Sequence, residues 1–141
     1  MSEAGVRGIV LAHGDMAPGL IDAVRHIAGV GGDFLVPLSN RGLGPDVLAA
    51  EIAKLADCGP AIVFTDLQSG SCGFAARRCL HNVPQLVVIS GVNLPMLLEF
   101  AMRKDLPIEQ LVPLLLTKAR AAISCSPANF ENHEHRAVSG G

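Results

Sequence analysis

Two residues in this chain have the type and setting to do chemistry. His13 closes the apolar run Gly8-Ile9-Val10-Leu11-Ala12 and is followed by Gly14; Asp66 follows a second apolar run, Ala61-Ile62-Val63-Phe64-Thr65. Both runs read as strands buried on two faces, so each side chain falls at a strand's carboxyl end, where open parallel sheets place their ligands. A carboxylate that accepts one ring N–H of an imidazole fixes its tautomer and leaves the other nitrogen as a free lone pair. That makes a nucleophile or a general base. Ser69-Gly70-Ser71-Cys72-Gly73, just beyond Asp66, is a small-residue loop opening a helix. Its backbone N–H groups favour an anion, and Ser71 adds a hydroxyl. A nucleophilic nitrogen, an orienting acid and an anion cradle at Ser69, Gly70, Ser71 and Cys72 fit phosphoryl transfer through histidine, where positioning and charge stabilisation carry most of the catalysis.

The pair works only if the fold brings it together. Pro18 is placed to open a first helix, with Leu20, Ile21, Val24, Ile27 and Ala28 at helical spacing and Gly29 as its stop. A glycine-rich turn at 29–32 leads to a second strand over 33–38, then a polar loop, Ser39–Gly44. Pro45 opens a helix ended by Gly59-Pro60. After the strand 61–65 come a helix over about 71–80, a strand over 86–90, a helix near Pro95 and a helix over about 108–122, which Pro113 should kink or restart. Ile123–Ser126 is a candidate short final strand, and 127–141 reads as a loose polar tail beyond a single domain over 1–126. Strands alternating with helices predict an α/β fold with an open, mainly parallel, doubly wound sheet. Of the possible orders, 2-1-3-4 sets the first and third strands side by side and opens a crevice between His13 and Asp66.

Composition narrows the function. The chain has 141 residues, half of them hydrophobic, with a formal charge of −2 and no Trp or Tyr. These values fit a globular domain and argue against a nucleic-acid footprint or an aromatic sugar platform. No apolar run is long enough to span a bilayer, and Met1–Arg7 lacks a leader pattern, so a cytoplasmic location is expected. The cysteines at 58, 72, 79 and 125 form no C-x-x-C pair; reduced thiols are expected, with no metal centre and no cofactor.

Each candidate has a plainer reading. His13 could simply fill a strand end, and Asp66 could be a turn former or helix cap. His26 and His81 read as surface residues, and His133-Glu134-His135 as a solvated end rather than a metal site. Cys72, at a helix start where a thiol's pKa can fall, is either a redox-sensitive brake or, preferably, a small packing residue. Asp15 either repels a phosphate at His13 or, preferably, caps the first helix. Arg77 and Arg78 read as partner-facing or plain surface charge, and Phe74, Met96 and Leu97 as core or interface.

Three stretches in order, Ile9-Val10-Leu11-Ala12-His13-Gly14, Phe64-Thr65-Asp66-Leu67-Gln68-Ser69-Gly70-Ser71 and Ile89-Ser90-Gly91-Val92-Asn93-Leu94-Pro95-Met96-Leu97, resemble the IIA component of the mannose family of the bacterial sugar phosphotransferase system. The resemblance covers about Arg7 to Ile123. It implies that His13 accepts a phosphoryl group from phospho-HPr, on the nitrogen distal to the backbone, and passes it to a IIB component for sugar uptake. It implies that Asp66 holds the other nitrogen and that Ser69–Cys72 lie beside the phosphate. It also implies a homodimer that exchanges a C-terminal strand, for which Ile123–Ser126 is the matching segment. The family's loop runs roughly D-x-x-G-G-[ST]-P; here Ser69 stands for the first glycine, Cys72 for the proline, and Gln68 where a large apolar residue is common. A regulatory module, phosphorylated on His13 to signal through a protein partner, is the alternative. The phosphotransfer subunit of dihydroxyacetone kinase also uses a histidine after its first strand, but the Gly91–Met96 stretch favours the mannose family.

Overall fold

The structure, a computed structural model, describes residues 5–29 and 34–132. Four strands, β1 (Arg7–Ala12), β2 (Leu35–Ser39), β3 (Ala61–Thr65) and β4 (Leu86–Ser90), form one all-parallel sheet in the order β2-β1-β3-β4. Parallel neighbours need crossovers, supplied by α1 (Met16–Ala28), α2 (Pro45–Leu55) and α3 (Gly70–Arg78). Helices α4 (Leu94–Arg103) and α5 (Ile108–Ala121) complete the chain's packed layers. In register, Leu11 pairs with Thr65 and Ala12 with Ser39. Chain reversals after β1, β2 and β3 therefore gather at one end of the sheet.

Side-chain alternation along the strands sorts the core into two layers. Val10, Ala12, Ile62 and Phe64 point to a layer shared with Ile21 and Val24 of α1, Leu97 and Phe100 of α4, and Leu111 and Leu115 of α5. Ile9, Leu11 and Val63 point the other way, to Leu48 and Ile52 of α2 and to Cys72, Ala75 and Ala76 of α3. The small residues of α3 let it lie close on the sheet. In the larger layer Phe100 packs edge-on to Phe64 (ring centroids 5.3 Å apart, planes at 76°) and tilted to Phe34 (5.9 Å, 43°). Such pairs add about 0.5–1.5 kcal/mol each beyond their area.

The Gly-x-Asn-x-Pro-Met stretch after β4 has a structural job. Asn93 Oδ1 accepts the Met96 N–H at 3.0 Å, capping α4, while its Nδ2 donates to the Ala119 carbonyl of α5 at 3.1 Å. One side chain thus starts one helix and ties down the end of another.

Several expected boundaries shift. α1 begins at Met16, so Pro18 is its third residue; the first three N–H groups of a helix lack intrahelical partners, so a proline there removes nothing. Gly29 is the left-handed stop expected of it, its N–H donating to Arg25 O at 3.0 Å; the turn beyond it, 30–33, lies outside the described residues. α3 starts at Gly70 and gives way at Cys79–His81 to a 3₁₀ turn. α5 runs through Pro113 with no restart. Ile123–Ser126 forms no strand in the single chain. The tail is not wholly loose either, since Ala128–Asn132 forms a 3₁₀ turn. His133-Glu134-His135 lies outside the described residues.

Phe100 is fully buried and bridges two other rings. Phe100→Ala is expected to lower the free energy of unfolding by about 3–5 kcal/mol, read from urea denaturation; a loss below about 1 kcal/mol would mean that the ring is not the keystone of this layer.

Candidate functional site

The site is made where β1 and β3 end side by side. Asp66 is the first residue past β3, and its carboxylate, with the side chain 9% exposed, is filled from three directions. Oδ2 accepts the backbone N–H of His13 at 2.9 Å and lies 2.8 Å from His13 Nδ1. Oδ1 accepts the Leu67 N–H at 2.9 Å. A carboxylate can only accept, so Nδ1 carries a proton, and in the neutral ring the lone pair then lies on Nε2. The His13 side chain is 43% exposed, so the ring is held at its inner nitrogen and open to solvent. Burial pushes the Asp66 carboxyl up, but the N–H donors and charge of His13, with the Leu67 N–H, outweigh it and hold the group below its ordinary value of 3.8.

The N-terminus of α3 faces the imidazole. A Cβ added at Gly70 would stand 3.8 Å from His13 Cε1 and 3.9 Å from Nε2. Gly70, Ser71 and Cys72 are the first three residues of this helix, whose N–H groups have no intrahelical partner. Gly73 holds this turn in shape: a Cβ there would collide with the Gln68 carbonyl oxygen and come within 2.9 Å of Leu67 O. Arg77 Nη1 also donates to the Gln68 carbonyl. The loop is braced beneath by Thr65, whose hydroxyl donates to Leu67 O (3.0 Å) and shares a hydrogen bond with the Ser90 hydroxyl (3.0 Å).

The expected residues are brought together unequally. His13 and Asp66 touch, and Gly70 lies beside the ring. Ser71 Oγ accepts from Asn40 Nδ2 at 3.3 Å. Ser69 is the residue before α3, and its side chain makes no capping hydrogen bond. Cys72 is fully buried in the second core layer, its Sγ 3.9 Å from His13 Nδ1. Its thiol pKa rises rather than falls: burial pushes it up, the Asp66 charge adds to that, and the Ser71 hydrogen bond only partly offsets them. Asp15 does not cap α1; its Oδ1 pairs instead with Arg41 Nη1 at 3.2 Å. Met96 and Leu97 are core, whereas Phe74 is 53% exposed. Arg78 Nη1 is tied to Asp46 at 2.7 Å.

One strand end went unread in the sequence. β2 lies beside β1, so Ser39, Asn40 and Arg41 border the site: Ser39 Oγ donates to Gly14 O (3.0 Å) and accepts the Arg41 N–H (3.1 Å). The strand order itself was the signal that could have found them.

His13, Asp66 and Cys72 also form the one cluster of three metal-type donors among the described residues, within 4.8 Å of one another. The 2.8 Å between Nδ1 and Oδ2 is a hydrogen-bond distance; two ligands of a tetrahedral zinc with bonds of about 2.0 Å would stand about 3.3 Å apart. The geometry is that of a proton shared between acid and imidazole.

A doubly wound parallel α/β fold with a carboxylate-held histidine at its switch point is the class of protein defined by this arrangement. The sequence matches the family described as the PTS system fructose IIA component (EIIA-man) over residues 8–115, and the chain belongs to that family. Among solved structures, it is similar to the phosphotransferase system component EIIA from Streptococcus agalactiae (21% identity, TM-score 0.79, covering 85% of this chain and 96% of that one). It is similar to the mannose/sorbose specific IIA subunit of the phosphotransferase system from Enterococcus faecalis (25%, 0.76, 86% and 95%). A third is the PTS IIA protein associated with the fucose utilization operon from Streptococcus pneumoniae (21%, 0.72, 88% and 96%). No curated protein sequence matches. No helix among the described residues is long and apolar enough to cross a membrane.

The lowered Asp66 value makes its charge stabilising near neutral pH. That contribution is complete above pH 3.8 and disappears as pH falls through the folded-state value below it. Asp66→Asn should therefore be less stable than the parent at about pH 7, with the gap closing below pH 3.8, as followed by urea denaturation. A gap that does not change with pH would mean that Asp66 contributes through shape rather than charge.

Proposed function

We propose that the protein is a phosphohistidine carrier of a sugar phosphotransferase system: His13 accepts a phosphoryl group from phospho-HPr and passes it to a IIB component. The observation that carries this reading is the 2.8 Å contact from Asp66 Oδ2 to Nδ1 of an imidazole whose side chain is open to solvent. Nε2 then has the lone pair, the access and the facing helix N-terminus that a phosphoryl acceptor needs. In the transfer, the Nε2 lone pair attacks phosphorus, a new N–P bond forms, and the donor's N–P bond breaks with its electron pair returning to the donor. Asp66 keeps the proton on Nδ1 and stabilises the cationic ring as the bond forms. The N–H groups of Gly70, Ser71 and Cys72 take up charge on the phosphoryl oxygens. Ser69 shapes the turn that presents them.

A carrier must meet one protein after another, and its surface suits that. Met16, Leu43, Val47, Leu67 and Phe74 are all exposed large apolar side chains; the first four sit on loops or first helical turns at the carboxyl ends of the strands, and Phe74 is in the second turn of α3. Apolar side chains gathered at the reactive end suit transient docking. No cofactor and no metal are part of this mechanism.

Incubation with phosphoenolpyruvate, enzyme I and HPr should place an acid-labile phosphate on His13, absent from His13→Ala. Asp66→Ala should slow the transfer by about 10²–10⁴-fold. Label on another residue, or equal rates in Asp66→Ala and the parent, would overturn the assignment.

The protein also acts, in this reading, as a homodimer that exchanges its C-terminal segment. Among the described residues the outer edge of β4 has no partner strand, and Ile123, just past α5, is 74% exposed. Sedimentation should give a dimer that becomes a monomer when residues 123–141 are removed; a dimer that survives the removal would exclude strand exchange.

A further inference from the structure

The site has a fourth wall that no motif announces. The loop between β2 and α2 runs past both segments that hold the imidazole. Asn40 Nδ2 donates to Ser71 Oγ at the start of α3, next to Gly70, which itself borders Nε2. Arg41 is anchored by its main chain: its N–H donates to Ser39 Oγ, whose hydroxyl donates to the Gly14 carbonyl. Gly14 has a left-handed φ of 58°, and a Cβ there would stand 3.3 Å from Arg41 Nη2. The guanidinium therefore lies against the residue that follows His13.

Charge gives that placement its meaning. A phosphoryl group on Nε2 would bring about two negative charges to a mouth already carrying Asp66 and Asp15. Among the described residues, the arginines of α3 sit in its last turn and are engaged elsewhere, with the Gln68 carbonyl and with Asp46. Among the described residues, the Arg41 guanidinium is paired with Asp15 alone, and the two side chains are 67% and 88% exposed. Solvent and salt screen such a pair, so it is weak and easily exchanged. A phosphoryl oxygen offers a guanidinium a better partner than a screened carboxylate does.

We infer that Arg41 is a phosphate-binding residue of the carrier, held in waiting by Asp15 and transferred to the phosphoryl oxygens once His13 is charged. This rests on the phosphocarrier reading above. Asp15 then acts as a competitor that limits how strongly the phosphorylated state is held, so that the group can be passed on. Asn40, by holding Ser71 Oγ, keeps the loop against the start of α3 and sets where the guanidinium emerges.

The test uses the full-length protein and phosphoramidate, a small donor that needs no docking surface; ammonia leaves as the N–P bond forms on His13. The parent, Arg41→Ala, Arg41→Lys and Asp15→Asn are compared for the phosphorylated fraction at equal donor, the lifetime of phosphohistidine and its ³¹P chemical shift. Arg41→Ala should lower the fraction or the lifetime by about three- to tenfold and move the ³¹P signal, Arg41→Lys should recover part of the loss, and Asp15→Asn should shift the fraction upward. The gain from Asp15→Asn should be smaller when Arg41 is already Ala. Thermal melts should show Arg41→Ala folded, as expected for an exposed side chain. If the parent is phosphorylated on His13 while Arg41→Ala matches it in fraction, lifetime and ³¹P shift, the Arg41 inference is overturned and the carrier reading stands. A defect confined to HPr-driven phosphorylation would make Arg41 a docking contact and likewise overturn it. If the parent is never phosphorylated on His13, both readings fall together.

Discussion

A carboxylate that is nearly buried must be satisfied, and Asp66 shows how one such group can order a whole site. Its two oxygens take three N–H donors: the main chain and ring of His13, and the main chain of Leu67. Each contact fixes something different. The bond to the His13 main chain locks the end of β1 to the end of β3. The bond to the ring sets the tautomer and the direction of Nε2. The bond to Leu67 starts the turn that aims α3 at the same place. Loss of the carboxylate would leave these donors without their acceptor, the costly side of hydrogen-bond accounting.

That carboxylate could not collect those donors unless β1 and β3 were neighbours. The order β2-β1-β3-β4 makes them so, and it follows from how the chain reverses. The first crossover carries the chain to one side of β1, and the next returns it to the other. The two helical layers are then sorted by side-chain parity, with the small residues of α3 allowing its N-terminus to sit close to the imidazole. Rigid packing far from the mouth is therefore what gives an exposed ring a fixed direction. An exposed histidine tied only to a loop would sample many rotamers; here one nitrogen is pinned at 2.8 Å while the other stays free.

Much of this was legible in the sequence because it depends on local pattern. The apolar runs ending in His13 and Asp66 marked the strands, Pro45 marked a helix start and Gly29 a helix stop, and strand–helix alternation pointed to the strand order. What was not legible depends on contacts between segments distant in the chain. Asp15 looks like a helix cap by position, but its partner, Arg41, comes from another loop. Cys72 is the buried packing residue that its small size suggested, and burial with the Asp66 charge beside it raises the thiol pKa that a helix start alone would lower. Ile123–Ser126 is too short to identify by pattern, and it is not one of the four strands of the sheet. Contacts of this kind are not displayed by the linear sequence.

Cys72 and Gly73 show how the loop can depart from its family's pattern and still hold its shape. Where the family's loop carries a proline, the restraint on the backbone comes from the ring; a cysteine supplies none. Here the restraint is tertiary. Cys72 is sealed into the core layer of α2 and α3, and Gly73 has no Cβ, so the Gln68 and Leu67 carbonyls can close down on the helix. Arg77 clasps the Gln68 carbonyl from the far end of the same helix. Packing from below, close approach from above and a hydrogen bond from behind replace one covalent constraint. The start of α3 is thereby kept beside Nε2, and this position, rather than the identity of any single loop residue, is what an anion at the imidazole requires.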